Sequence, residues 1–201
     1  MSAGREFETD GLTIRAACAA DGQALTRLIE DAMGEGCFDM AHVNPRYGRV
    51  CEVEGKIVGT ALMDDASPRK NYDFLTNKMG VQGLEVLMEH PRIGHVRYVA
   101  VDPAYRRRGI GGELMRVAET ALHTDGIDAF YVIAWVRADS GECEGGKLYE
   151  RAGYTCLVQV PDFYREWSFE TSTVCPACGE PPCTCEARVY VKLPAAPPLS
   201  P

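Results

Sequence analysis

The chain has 201 residues, enough for one domain, or one domain with a small appendage, around a real core. Its formal net charge of −8 argues against a general nucleic-acid binder, whose surface must neutralise phosphate. It contains neither a charged-then-apolar leader nor a long apolar run, so a soluble, cytoplasmic protein without membrane contact is expected.

Residues 1–11 carry no period and are expected to fray. Leu12–Arg15 reads as a first strand, and Asp21 caps a helix in which Ala24, Leu25, Leu28, Ile29, Ala32 and Met33 share one face. Residues 34–48 read as loop with a short second helix. Arg49–Glu54 and Lys56–Met63 flank the turn Glu54-Gly55 and read as a hairpin. Residues 66–94 then form a long connection, with helical spacing at Tyr72, Leu75 and Met79 and again at Leu84, Leu87 and Met88. Segments of this length usually carry function or structure of their own, so this one either shapes a ligand pocket or packs on the outer face.

The stretch from His95 to Leu122 is the most informative. An apolar run, Val96–Val101, ends at Asp102-Pro103. Leu114, Val117, Ala118, Ala121 and Leu122 follow at helical spacing and leave Glu113, Arg116, Glu119 and Thr120 mainly to the other face. Between strand and helix lie Arg106, Arg107, Arg108, Gly109, Ile110, Gly111 and Gly112. Such a loop offers uncovered backbone N–H groups, the positive end of a helix dipole and cationic side chains, so it reads as a phosphate cradle. It is neither a Rossmann fingerprint, which needs Gly where Leu114 stands, nor a P-loop, which needs Lys-Ser/Thr where Gly112-Glu113 stands.

Downstream, Ala129–Val136 reads as a strand and residues 146–154 as a helix. Tyr154–Ser168 and Ala187–Leu193 read as two strands that pair antiparallel. Between them, within residues 172–187, stand Cys175, Cys178, Cys183 and Cys185 as CPxCG and CxC pairs. This spacing matches a closed, tetrahedral and therefore structural Zn²⁺ site, with Gly179 supplying the tight turn. Disulfides are a poor alternative, because a CxC pair cannot easily bridge to itself. Cys18, Cys37, Cys51, Cys143 and Cys156 show no metal spacing and are expected as buried or partly buried thiols. Residues 194–201 are a Pro-rich tail.

The segment Arg106-x-x-Gly109-x-Gly111, preceded by Val99-Ala100-Val101-Asp102-Pro103, resembles the acetyl-CoA motif of the GNAT (GCN5-related) N-acetyltransferases. Leu148-Tyr149-Glu150 with Gly153-Tyr154 is similar to that family's later LYExxGF helix. The resemblance implies a mixed α/β (α+β) GNAT fold over residues 12–193: a mostly antiparallel twisted sheet flanked by helices, with a zinc knuckle in the last hairpin. It also implies that the loop amides, Arg106 to Gly112, hold the cofactor pyrophosphate, and that backbone of Val99, Ala100 and Val101 holds the pantetheine arm and the thioester carbonyl. Tyr149 stands where a helix-borne Tyr protonates the CoA thiolate, although a core aromatic is the alternative. Glu142 stands where most relatives carry Asn.

His95 lies where several members carry a proton acceptor for the amine. Alternation places His95, Arg97 and Val99 on one face, and an imidazole of pKa about 6.5 suits a base, although a structural histidine remains open. The implied reaction is transfer of acetyl from acetyl-CoA to a primary amine. The acidic balance suits a cationic acceptor, small molecule or peptide, and a homodimer is compatible. Two other readings stand beside it: an acyl-CoA-binding sensor or scaffold without catalysis, and an acetyltransferase acting on a protein N-terminus or lysine.

Overall fold

The computed structural model describes residues 11–66, 68–78, 81–143 and 145–194. The expected frayed segment, apart from Gly11, and the Pro-rich tail, apart from Pro194, lie outside them, as does Met79. The strands are β1 (Leu12–Ala16), β2 (Arg49–Val53), β3 (Lys56–Ala66), β4 (Ile93–Val101), β5 (Phe130–Val136), β6 (Thr155–Val160) and β7 (Glu186–Lys192). The helices are α1 (Gly22–Met33), α2 (Pro68–Asp73), α3 (Ile110–Thr124), α4 (Gly146–Arg151) and α5 (Arg165–Thr171). One seven-stranded sheet runs β1-β2-β3-β4-β5-β7-β6. All its pairings are antiparallel except β4 with β5, where α3 makes the crossover. Among the described residues, no helix is long and apolar enough to cross a membrane.

Alternation along the strands gives the sheet two apolar faces. On one, Ala61, Met63, Val96, Phe130 and Val132 meet Leu114, Met115, Ala118 and Leu122 of α3 and Tyr149 of α4. On the other, α1 covers Val50, Leu62 and Ala100 with Leu25 and Ile29, while Leu75, Val81, Leu84 and Leu87 cover Ile93, Tyr131 and Val189. The long 66–94 connection therefore contributes core packing, as α2, an irregular helical turn and a 3₁₀ turn at Glu85–Glu89. Among the described residues, none of this connection before β4 lines the cleft described below.

Four expectations change, the last of them for two cysteines. The first is Tyr154–Ser168, which is not one strand. The alternating pattern lasts only through β6, after which Phe163, Tyr164, Trp167 and Ser168 adopt helical spacing around α5. Second, Asp21 makes no side-chain cap on α1. Its carboxylate instead takes two hydrogen bonds from Arg15, at 2.8 and 2.7 Å, and the Cys18 N–H at 2.8 Å. Third, Glu119 is buried within α3 rather than solvated. Its carboxylate accepts from the Tyr154 hydroxyl at 2.9 Å and from Lys192 at 2.6 Å, so its charge is paired. Of the unassigned cysteines, Cys18 and Cys156 are exposed, because one lies in a turn and the other on the edge strand β6.

Candidate active site

The parallel pairing of β4 and β5 covers only Gly94–Phe130, His95–Tyr131 and Val96–Val132. Beyond Val96 the two strands part, and a cleft of about 980 Å³ opens between them. That volume is at the upper end of the range for small-molecule sites. On its other edge β4 stays paired with β3, with Val99 opposite Ala61, Ala100 opposite Thr60 and Val101 opposite Gly59. The Asp102 N–H donates to the Val58 carbonyl at 2.9 Å, which sets the phase of the ladder. Hydrogen-bonded and non-bonded pairs alternate in an antiparallel ladder, so Ala100 turns its backbone to β3 while Val99 and Val101 turn theirs to the cleft. Of the three residues expected to offer backbone, Ala100 is thus spent on the sheet. The Val101 carbonyl already accepts from Arg106 Nε at 3.0 Å.

The mouth of the cleft beside β4 is the start of α3. Gly109 stands at its N-cap with φ of 87°, a conformation costly for any residue with a Cβ. The first α-helical bond runs from the Glu113 N–H to the Gly109 carbonyl at 3.1 Å, so the amides of Ile110, Gly111 and Gly112 precede it. Arg106, Arg107, Gly109, Ile110, Gly111 and Gly112 all line the cleft. Arg108 does not; its guanidinium sits 5.3 Å from the centre of the Tyr105 ring. Lys147 and Arg151, one turn apart on α4, add positive charge to the same wall. Sequence reasoning passed over them, although an i, i+4 pair of cations inside the second motif was the available signal.

Tyr149 is 6% exposed and lines the cleft between α4 and β5. Its ring packs on Tyr190 at 5.7 Å and Tyr154 at 6.1 Å, and a Cβ on Gly145 would fall 2.5 Å from its Cε2. Gly145 is therefore required by the close approach of the ring. Burial raises the phenol pKa, and the neighbouring Cys143 and Tyr190 raise it further, so the hydroxyl is held protonated.

His95 also lines the cleft, stacked on Tyr131 with ring centres 4.4 Å apart. It does not share a face with Val99. The β3–β4 register shifts between Leu62 and Met63, where Tyr98 faces Leu62 but Val96 faces Met63, so Arg97 is an extra, bulged residue. The bulge reverses the alternation: Val99 packs on the α3 side, whereas His95 stacks over Tyr131 on the opposite side. Arg97, also on the cleft, is ion-paired with Asp64.

The far end of the cleft is aromatic. Trp135 from the end of β5, Phe163 and Tyr164 from the turn after β6, and Trp167 from α5 line it. Tyr164 makes edge contacts with Phe163 at 5.0 Å and Trp167 at 6.4 Å. This wall was hidden in the sequence because residues 154–168 read as strand.

Behind the wall lies the cysteine cluster. The sulfurs of Cys175, Cys178, Cys183 and Cys185 all lie within 4.8 Å of one another. Three of the separations are 3.4 Å (Cys178–Cys185), 3.7 Å (Cys175–Cys185) and 3.9 Å (Cys178–Cys183). Tetrahedral Zn²⁺ at about 2.3 Å from each sulfur requires about 3.8 Å between sulfurs, so the donor set fits that ion. The N–H groups of Ala177, Thr184 and Ala138 approach Cys175, Cys178 and Cys185 sulfurs at 3.4 Å each, as thiolates favour. Gly179 has the positive φ, 80°, that the turn needs.

Residues 44–156 match the family model described as an acetyltransferase (GNAT) domain. No curated protein sequence matches at a significant level. Among solved structures, a Drosophila melanogaster polyamine N-acetyltransferase that forms N-acetylagmatine is 16% identical, over 91% of this chain and 100% of its own, with a TM-score of 0.61. The NatC complex bound to Gag peptide and CoA gives 12% identity, 92% and 99% coverage and a TM-score of 0.61. The ribosomal-protein-S18-alanine N-acetyltransferase of Escherichia coli gives 18%, 94% and 99%, and 0.58. At these identities the likeness is one of fold.

Proposed function

Because the chain belongs to the GNAT acetyltransferase family, we propose that it moves acetyl from acetyl-CoA to a primary amine by direct attack within a ternary complex. The observation that carries this reading is the parting of β4 and β5 beside a cationic, glycine-rich helix start. The amides of Ile110, Gly111 and Gly112, with Arg106, Arg107, Lys147 and Arg151, suit the pyrophosphate of the cofactor. The backbone of Val99 and Val101 suits the pantetheine arm, and the Val99 N–H is the donor proposed for the thioester oxygen.

In the reaction the ammonium first loses a proton, for which His95 is the proposed acceptor. The amine nitrogen then attacks the carbonyl carbon, forming the C–N bond, and the C–S bond breaks as the tetrahedral intermediate collapses. The departing thiolate takes the Tyr149 proton, which is restored as the new amide nitrogen loses its second proton. Direct attack is supported by the state of Cys37, the one cleft-lining thiol outside the cluster among the described residues. Burial, with some help from Glu30, pushes its pKa up to about 11, which keeps it a thiol and a poor acyl acceptor.

The four cysteines are proposed to hold one structural Zn²⁺, whose chemistry is to fix four thiolates and leave no open position. The test of the main reading is acetyl-CoA binding by calorimetry together with CoA release in the presence of an amine panel. Binding without release from any amine or peptide would favour the sensor reading, and absence of both would overturn the proposal.

A further inference from the structure

We infer that the acceptor is a monoamine with an aromatic or extended apolar body, received by the wall of Trp135, Tyr164 and Trp167. The inference rests on the acetyltransferase reading and narrows its acceptor class.

Charge supports it first. Despite the net charge of −8, Glu142 is the only carboxylate among the described residues that line the cleft. The cations there do not supply an anionic partner either: Arg106, Arg107, Lys147 and Arg151 are those proposed for the cofactor pyrophosphate, and Arg97 already takes up Asp64 behind the cleft. A diamine or polyamine would carry a second ammonium into this cleft, where a desolvated charge requires an anionic partner. A monoamine has no such need, because its one ammonium must lose its proton before attack.

The wall itself supports it next. Aromatic rings can also cage a cation, but one protein cation already uses this wall: the Arg137 guanidinium lies 5.3 Å from the centre of the Trp135 ring. What the wall offers is flat apolar area. It is also held in place. Trp135 and Tyr164 pack against the cysteine cluster, and Cys175 and Cys183 reach the cleft themselves. The Ser168 hydroxyl, 1% exposed, accepts the Cys183 N–H at 3.0 Å and donates to the Arg165 carbonyl at 2.7 Å. A wall fixed in this way loses little entropy when it receives a rigid ring.

The experiment compares 2-phenylethylamine and tryptamine with 1,4-diaminobutane, spermidine and an Ala-initiated hexapeptide on the metal-loaded protein. The aromatic amines should show kcat/KM higher by roughly tenfold or more. Trp167→Ala should raise their KM by about tenfold with acetyl-CoA affinity unchanged, and Trp167→Phe should restore most of it. The chain has two tryptophans and both line the cleft, so aromatic amines should also perturb intrinsic emission without any turnover. Preference for a diamine or the peptide, or turnover of aromatic amines with unchanged emission, would overturn the inference. Calorimetry with acetyl-CoA alone reads the parent proposal separately, since it involves no acceptor.

Discussion

The Tyr154 hydroxyl donates to the buried carboxylate of Glu119 at 2.9 Å, tying the end of the α4 segment to the middle of α3. Lys192, at the end of β7, completes the group by donating to the other carboxylate oxygen at 2.6 Å. Three separate parts of the fold, α3, the segment after α4 and β7, thus meet on one anion.

Removing the anion should cost more than removing one donor. Tyr154→Phe deletes a single hydrogen bond and should lower stability by about 1–2 kcal/mol, whereas Glu119→Ala strands both partners and should cost about 3 kcal/mol. Urea unfolding followed by far-UV dichroism measures both. Equal losses would show that Lys192 gains nothing from the pair.

The Arg15 guanidinium, hydrogen-bonded to Asp21 through two nitrogens, holds the Asp21 pKa down from 3.8 to about 2. A depressed carboxylate contributes stability that is fully present above the unfolded pKa and is lost as pH falls through the folded one. Asp21→Asn should therefore be less stable than the parent at pH 6, and the difference should shrink between about pH 4 and 2. A gap that stays constant down to pH 2 would assign Asp21 a packing role only.

Acetyl-CoA should raise the unfolding temperature, with about 2.7 kcal/mol of stabilisation at one hundred times Kd. Gly109→Val should remove this shift and also lower intrinsic stability, because φ is 87° there. Gly111→Val separates the two effects. A Cβ at Gly111 meets Leu148 at an ordinary 3.4 Å, so the fold should survive while backbone approach by the cofactor is blocked. Unchanged binding in Gly111→Val would move the phosphates elsewhere.

One zinc per chain is expected by elemental analysis. Cys183→Ser should lose it and shift tryptophan emission to the red, since Trp135 packs on the cluster, while acetyl-CoA affinity holds. A metal-free protein with native emission and full stability would remove the metal from the account.

For the chemistry, Tyr149→Phe should lower the transfer rate by about 10² with cofactor affinity nearly unchanged. His95→Ala should depress the rate and flatten the acidic limb of the pH profile, because a base acts only when unprotonated. Full turnover in Tyr149→Phe, with chemistry rate-limiting, would make Tyr149 a packing residue. An unshifted pH profile would do the same for His95.

What could be read from the residues was whatever rests on local signals. The strand–loop–helix around Gly109 and the spacing of Cys175, Cys178, Cys183 and Cys185 depend on neighbours in sequence, and both appear in the structure as contiguous features. The face of His95 was not legible, since the bulge at Arg97 arises from pairing with Leu62 and Met63 of β3, far away in sequence and in a register no single strand reveals. The aromatic wall was missed for a different reason. Val158 and Val160 alternate as a strand should, but Pro161-Asp162 directly after them is a local break signal that went unread, so alternation was carried on past the point where helical spacing takes over. Glu119 was misplaced because its partners, Tyr154 and Lys192, lie 35 and 73 residues away.

The position of β7 bears on how the molecule is made. It lies between β5 and β6 and is hydrogen-bonded to both, yet it is synthesised after them. Until residues 186–192 are available, β5 and β6 each present an open edge, and the α3-side core lacks Tyr190. During synthesis the nascent chain must keep those edges from pairing with other chains, so interrupted translation or cleavage just beyond the cysteine cluster should yield an aggregating product rather than a smaller folded one.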